Sequence, residues 1–246
     1  MVLNPEFFKY TFEIGCFIIF IICVYHSYLS YGIAKTVREF IAGFILSAGC
    51  ENFGVLSGAY VYPGFHLYFF EIPLANPLSW VALVYVIMEI TNRLYIKNFE
   101  RYSILGGLIC FAFVDGLLAL MLDLMMDPLA TVYNWWIWVE PDQTKVIEGD
   151  VIPYNFTEIT HMITPDNWVY DFFKENFQES RYPTRWFGIP LINYISWFVF
   201  VSVFSFQFRW VEDRFGWKQI NKSLLLWLIV LIDVPILSWV LISINL

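Results

Sequence analysis

The stretch LMLDLMMDPLATVYNWWIW, residues 120–138, decides how this chain has to fold. It is apolar enough to enter a membrane. Yet it places Asp123 and Asp127 one helical turn apart, follows them with Pro128, and then supplies Trp135, Trp136 and Trp138. Carboxylates are costly in hydrocarbon, so acids inside a membrane span are functional candidates by default. Either the stretch lies outside the membrane, or its acids act within it.

Composition settles the first alternative. Of the 246 residues, 59% are hydrophobic, only 15% are charged and 21% are aromatic. A soluble domain has about 25% charged residues, so the chain is an integral membrane protein. No small-residue cleavage site follows the first apolar run, and no cleavable signal is expected. The net charge of -8 is local, because nine of the 22 acids lie between Glu140 and Glu179; it gives no indication of nucleic-acid binding. Cys16, Cys23, Cys50 and Cys110 all fall in apolar runs, lack metal-ligand spacing and are expected to be small packed thiols.

A span needs about 20 apolar residues to cross about 30 Å of hydrocarbon. The pattern predicts an all-α, polytopic helix bundle of about six transmembrane helices, at roughly 11–31, 39–61, 77–96, 104–127, 187–208 and 223–244. It forms one integral membrane domain, 1–246. Segments 62–76 and 128–139 are apolar but Pro-broken, and are expected to be re-entrant or interfacial. No internal repeat or low-complexity tract stands out. Nine of the 14 basic residues fall between spans one and two, three and four, and five and six. The positive-inside rule makes those connections cytoplasmic. Both termini, segment 62–76 and the acidic loop 140–186 are then extracytoplasmic. That loop carries an Asn155-Phe-Thr157 sequon and a predicted amphipathic helix over 164–177. Thr164 or Asp166 would cap it, with Trp168, Phe172 and Phe173 on the membrane surface.

Among the acids inside the spans, the candidates are Glu51, Glu89, Asp115, Asp123, Asp127 and Asp233. Glu89 is expected to pair with Arg93 one turn on, and Asp233 to cap a distortion at Pro235. At 100° per residue Asp115 and Asp123 lie about 80° apart, and Asp127 about 40° further, so all three share one face. Glu51 precedes Gly54 and Gly58, a spacing that lets another helix approach, with Tyr60 and Tyr62 just beyond. Together they suggest a polar pocket between helices.

Two chemistries need paired acids in an apolar site. In one, Asp123-x-x-x-Asp127 holds magnesium and a prenyl diphosphate, as in intramembrane prenyltransferases. This needs a second acidic motif and nearby basic residues, neither of which is evident in the sequence. In the other, a protonated carboxylic acid protonates an alkene, a second acid positions water, and aromatic faces stabilise the cation. It needs no metal or other cofactor, and Trp136, Trp138, Tyr60 and Tyr62 supply aromatic faces. A third possibility is a protein that binds isoprenoid lipid without turning it over.

Four ordered blocks carry a family resemblance: Glu51-x-x-Gly54…Gly58-x-Tyr60-x-Tyr62, IPLANPLSW (72–80), LDLMMDPLATVYNWWIW, and FGIPLINYISW (187–197). In this order they resemble the carotenoid biosynthesis membrane proteins, a family that includes bisanhydrobacterioruberin hydratases of archaea and carotene 1,2-hydratases of bacteria. The chain departs from that pattern in a shortened Gly/Tyr block and a long outer loop. The resemblance implies hydration of a terminal isoprenoid double bond to a tertiary alcohol, in the cell membrane, beside other enzymes of the pathway. It places Glu51, Asp123, Asp127, Pro128, Trp136, Trp138, Pro190, Asn193 and Trp197 at matching positions. On this reading Asp123 or Asp127 donates the proton and Glu51 orients water. Asn193 and Tyr60 supply hydrogen bonds, Trp136 and Trp138 flank the cation, and Tyr62, Asp115 and Trp197 complete the substrate pocket.

Overall fold

A computed structural model describes residues 5–95, 104–133, 135–138, 168–174 and 182–244. It is an all-α bundle of six long helices: α1 (Pro5–Tyr31), α2 (Ile33–Leu56), α3 (Ala75–Tyr95), α4 (Ile104–Val132), α6 (Leu191–Glu212) and α7 (Gln219–Ser243). A short helix, α5 (Trp168–Lys174), lies between α4 and α6. Three two-residue antiparallel ladders complete the described residues. β1 (Tyr60–Val61) pairs with β4 (Ile137–Trp138), β2 (Tyr68–Phe69) with β3 (Ile72–Pro73), and β5 (Arg185–Trp186) with β6 (Ile189–Pro190).

Five of the six long helices are long and apolar enough to cross a membrane. The exception, α3, has 21 residues, about 31 Å at 1.5 Å per residue. Asn76, Ser79, Glu89, Thr91, Asn92 and Arg93 dilute its apolarity. It tolerates them because α1, α2 and α4 pack around it. Val81, Ala82, Val84, Tyr85, Ile87 and Met88 are buried there in the main core.

Partner contacts fix the directions. Cys23 meets Ala82, His26 meets Tyr85 and Tyr31 meets Glu89, so α1 and α3 run parallel. On α4, Asp115 meets Arg209 and Asp127 meets Asn193, so α4 and α6 run antiparallel. α2 and α7 run parallel, with Arg38 on Gln219 and Gly49 packed 2.7 Å from Val234, were it to carry a Cβ. The start of α1, through Lys9 to the Pro63 carbonyl, and the end of α7, through Tyr182 to the Ile242 carbonyl, therefore lie at the same end of the bundle.

Several expectations are corrected. Pro128 does not end the fourth helix, because α4 continues through it to Val132. The missing N–H frees one carbonyl, a defect that membrane helices absorb. Residues 135–138 then fold back, and Trp138 stands opposite Tyr60. Gly54 and Gly58 do not serve a helix contact. A Cβ at Gly54 would overlap the Tyr60 hydroxyl, and Gly58, beyond the end of α2, takes φ 74°. The close approach of helices falls instead at Gly43, Gly49 and Gly116. The second span begins earlier than expected, at Ile33, and ends at Leu56. The thiols are all free, and Cys110 is exposed rather than packed. In α5, Trp168 is exposed, Val169 packs with Ile242, and the Phe172 ring lies tilted against Trp239, with centroids 4.6 Å apart. The Asn155 sequon, the caps at Thr164 and Asp166, and the Phe173 side chain lie outside the description.

The structure also shows a repeat where none was expected. Ile72-Pro-Leu-x-Asn76-x-x-Ser79-Trp80 recurs as Ile189-Pro-Leu-x-Asn193-x-x-Ser196-Trp197. Each copy follows a tight ladder of equivalent register, Phe69↔Ile72 and Trp186↔Ile189. Each turn carries a phenylalanine at positive φ, Phe70 at 56° and Phe187 at 51°. Each closes with an equivalent bond, Leu74 N to Leu67 O at 2.8 Å and Leu191 N to Thr184 O at 2.9 Å. Thus α3 and α6 start from the same local device.

Candidate functional site

The shared device places Asn193 in the first turn of α6, facing the end of α4. Its Nδ2 donates to Asp123 Oδ2 at 3.1 Å and also to Asp127 Oδ2. Both aspartates are buried, at 1% and 2% exposure, and Asp123 Oδ1 has no hydrogen-bond partner among the described residues. Buried polar atoms are nearly always paired, so this oxygen has an acceptor position left to fill.

Glu51, on the last turns of α2, is held by the chain that follows. Its Oε2 accepts from the Tyr60 hydroxyl at 3.0 Å and the Tyr62 hydroxyl at 2.5 Å. Gly54 makes room for the Tyr60 ring. Both tyrosines lie in the connection beyond α2. Burial, together with the adjacent Glu51 carboxylate, raises both phenols well above their usual range and keeps them as donors. The Tyr60 ring meets Trp138 edge-on at 4.8 Å, and Tyr62 meets Trp136 at 6.0 Å.

Two chambers adjoin this cluster. One, of about 70 Å³, lies between α2, α6 and α7 and is lined by Cys50, Ser238 and Tyr182. The other, of about 50 Å³, is lined by Tyr62, Asn76, Asp127 and Trp136. Glu51, Tyr60, Trp80, Trp138, Asn193 and Trp197 line both. A larger groove of about 540 Å³ runs along the other face of α2 under Phe69 and Phe70, and none of these three acids lines it.

A family model described as carotenoid biosynthesis protein matches residues 12–145, just over half of the chain. The chain belongs to the carotenoid biosynthesis protein family. The match includes Glu51, Tyr60, Tyr62, Asp123, Asp127, Trp136 and Trp138, while Asn193 and Trp197 lie beyond it. Comparison with curated proteins and with solved structures gave no match. Membership gives this carotenoid biosynthesis protein a role in making carotenoids.

The structure thus brings nine of the ten residues singled out by sequence to one end of the bundle. Asp115 does not join them. It faces α6 as its helical phase predicts, but near the opposite end. There it accepts from Ser205 at 2.5 Å and Thr91 at 2.6 Å, and pairs with Arg209. Arg209 is further held by Asn92 at 3.1 Å. Asp115 is therefore part of a buried ion-pair layer. Glu89 is likewise structural, 3.9 Å from Arg93 and 2.5 Å from the Tyr31 hydroxyl. Asp233 accepts from Gln207 at 2.6 Å. Sequence reasoning missed Trp80, Asn76 and Ser238. For the first two, the signal was the duplicated Asn-x-x-Ser-Trp.

Proposed function

We propose that this carotenoid biosynthesis protein is a cofactor-independent hydratase that adds water to the terminal double bond of an open-chain carotenoid or related polyprenoid. The observation that carries this reading is the convergence of Asp123 and Asp127 on one amide, next to Glu51, inside a wall of tryptophan and tyrosine.

The reaction takes R–CH=C(CH3)2 to R–CH2–C(OH)(CH3)2. A carboxylic acid gives its proton to the CH carbon, leaving a tertiary cation. Water then bonds to that cation and loses a proton to a base. Asp127 lines the smaller chamber and acts as the donor. Asp123, joined to it through Asn193, resupplies the proton. Glu51 has Oε2 engaged by two phenols and takes the water proton on Oε1. Trp136 and Trp138 present π-faces to the cation. A water needs about 10–15 Å³ of such space, so chambers of about 70 and 50 Å³ hold a water and one branched chain end, but no polyene. The substrate therefore enters by its end.

The positive-inside rule supports placing the Lys35, Arg38, Arg209, Arg214 and Lys222 end in the cytoplasm, and the site and both termini on the outer side of the cell membrane. Neighbouring enzymes of the pathway would then exchange substrate and product with this one through the bilayer.

The magnesium–diphosphate reading is less well supported. Asp123 and Asp127 turn to an amide, and among the described residues no three His, Cys, Asp or Glu side chains are grouped to hold a metal ion.

Expression in cells that make lycopene or bisanhydrobacterioruberin, with pigment masses as readout, tests the proposal. The expected product gains one water per reacting end, and Asp127→Asn or Asp123→Asn lowers its yield by about 100-fold or more. No hydrated pigment would leave a lipid-binding role. Unchanged yield in both variants would remove the aspartates from the mechanism.

A further inference from the structure

The duplicated segment contains a residue that the reaction above leaves unused. Asn76 stands in the first copy where Asn193 stands in the second. Both begin a helix after an Ile-Pro ladder, and each is followed one turn later by a serine that bonds back to its own helix, Ser79 to the Asn76 carbonyl at 2.8 Å and Ser196 to the Ile192 carbonyl at 2.7 Å. The paired tryptophans, Trp80 and Trp197, line both chambers.

The asparagines differ in what they hold. The Asn193 amide is committed to the two aspartates. The Asn76 side chain is half-buried, lines the smaller chamber with Asp127 and Glu51, and has no hydrogen-bond partner among the described residues. An amide with one acceptor and two donors suits a ligand that both donates and accepts, and a water molecule is the smallest such ligand. The two equivalent amides therefore stand in different surroundings: one holds the two aspartates, and the other lines the open space beside Asp127 and Glu51.

We infer that Asn76 is a catalytic residue that holds the attacking water, with its amide on the water and Glu51 receiving the proton. The inference rests on the hydration reading. Water bonds through oxygen to the tertiary carbon and passes one proton to Glu51. If the water is not held, the cation instead loses a proton from a neighbouring carbon and returns to an alkene.

Turnover in D2O separates these fates, because deuterium enters the substrate when the donor acts, whether or not water is captured. Membranes carrying the protein, supplied with lycopene, are analysed by mass for alcohol and for deuterium in the recovered alkene. Asn76→Ala is expected to lower alcohol formation about tenfold, the effect of losing one hydrogen bond to a reacting group, while total deuterium entry stays within about twofold and shifts into the alkene. Asn76→Leu, closer in volume, serves if the alanine variant melts early in detergent. Wild-type alcohol yield in these variants would overturn the assignment, as would equal loss of alcohol and deuterium. Wild-type protein that forms neither would overturn the hydration reading and this inference with it. Normal wild-type turnover with unaffected variants would overturn this inference alone.

Discussion

At the residue scale, the site depends on atoms that allow others to approach. Gly54 shows this best, since it contacts no acid itself. A methyl group there would occupy the place of the Tyr60 hydroxyl and push that ring off Glu51. Alanine is favoured over glycine by ~1 kcal/mol within a helix, which offsets the cost of moving one ring. Gly54→Ala is therefore expected to fold with near wild-type thermal stability, while its activity falls on the order of 100-fold, as misplacement of a reacting group by about 1 Å can cause. A pigment yield near that of the wild type would show that Glu51 does not need Tyr60. The acids themselves were legible in the sequence because a charge in hydrocarbon stands out. Asn193 was placed by resemblance alone, since an amide beside an Ile-Pro turn has no such signature. Asn76 is marked in the sequence only by the duplicated Asn-x-x-Ser-Trp.

At the element scale, the connection between α2 and α3 is the part that sequence patterns described least. Two-residue ladders are too short to have a period, so segment 62–76 could be recognised as non-helical but not as a folded clamp. Its repeat in 182–190 was hidden because the turn residues differ, with Glu71 in one copy and Gly188 in the other. This connection carries both phenols that hold Glu51, so its docking on α1 bears on the site. Glu13 is the main anchor. Its Oε1 accepts from the backbone N–H of His66 at 3.0 Å and of Leu67 at 3.2 Å, and its Oε2 lies 2.6 Å from His66 Nδ1. Lys9 adds a bond to the Pro63 carbonyl at 2.7 Å. Glu13 is 5% exposed, and removing its carboxylate strands two amides at a cost of about 1–3 kcal/mol. Glu13→Ala should lower the melting temperature in detergent and speed proteolysis between 62 and 72. Glu13→Gln keeps one acceptor oxygen and should lose less. Equal melting of both variants and wild type would mean that the clamp holds by apolar packing alone.

At the scale of the whole molecule, the bundle separates its charges into two layers. The end near the termini holds Glu51, Asp123 and Asp127, whose carboxylates meet hydroxyls and an amide and, among the described residues, no cation, an arrangement suited to proton transfer. The other end holds Asp115–Arg209 and Arg38–Glu212, acids matched with cations and braced by Thr91, Ser205 and Gln219. Helical phase shows that Asp115 shares a face with Asp123 and Asp127, but phase says nothing about what stands opposite. Three turns along α4, the facing residue is Arg209 rather than Asn193, and the same kind of side chain becomes structural. The distinction can be measured. Asp115→Asn leaves the Arg209 guanidinium buried against a neutral partner, and breaking such a pair costs about 3–5 kcal/mol. Replacing both as Asp115→Leu with Arg209→Met removes the uncompensated charge and should recover most of that loss, since apolar groups of similar volume replace buried pairs at little cost. Pigment hydration per folded molecule should be unchanged in the double variant, because neither residue lines the chambers. A double variant that melts like the wild type but makes no hydrated pigment would place Asp115 in the reaction and extend the proton path through the full depth of the bundle.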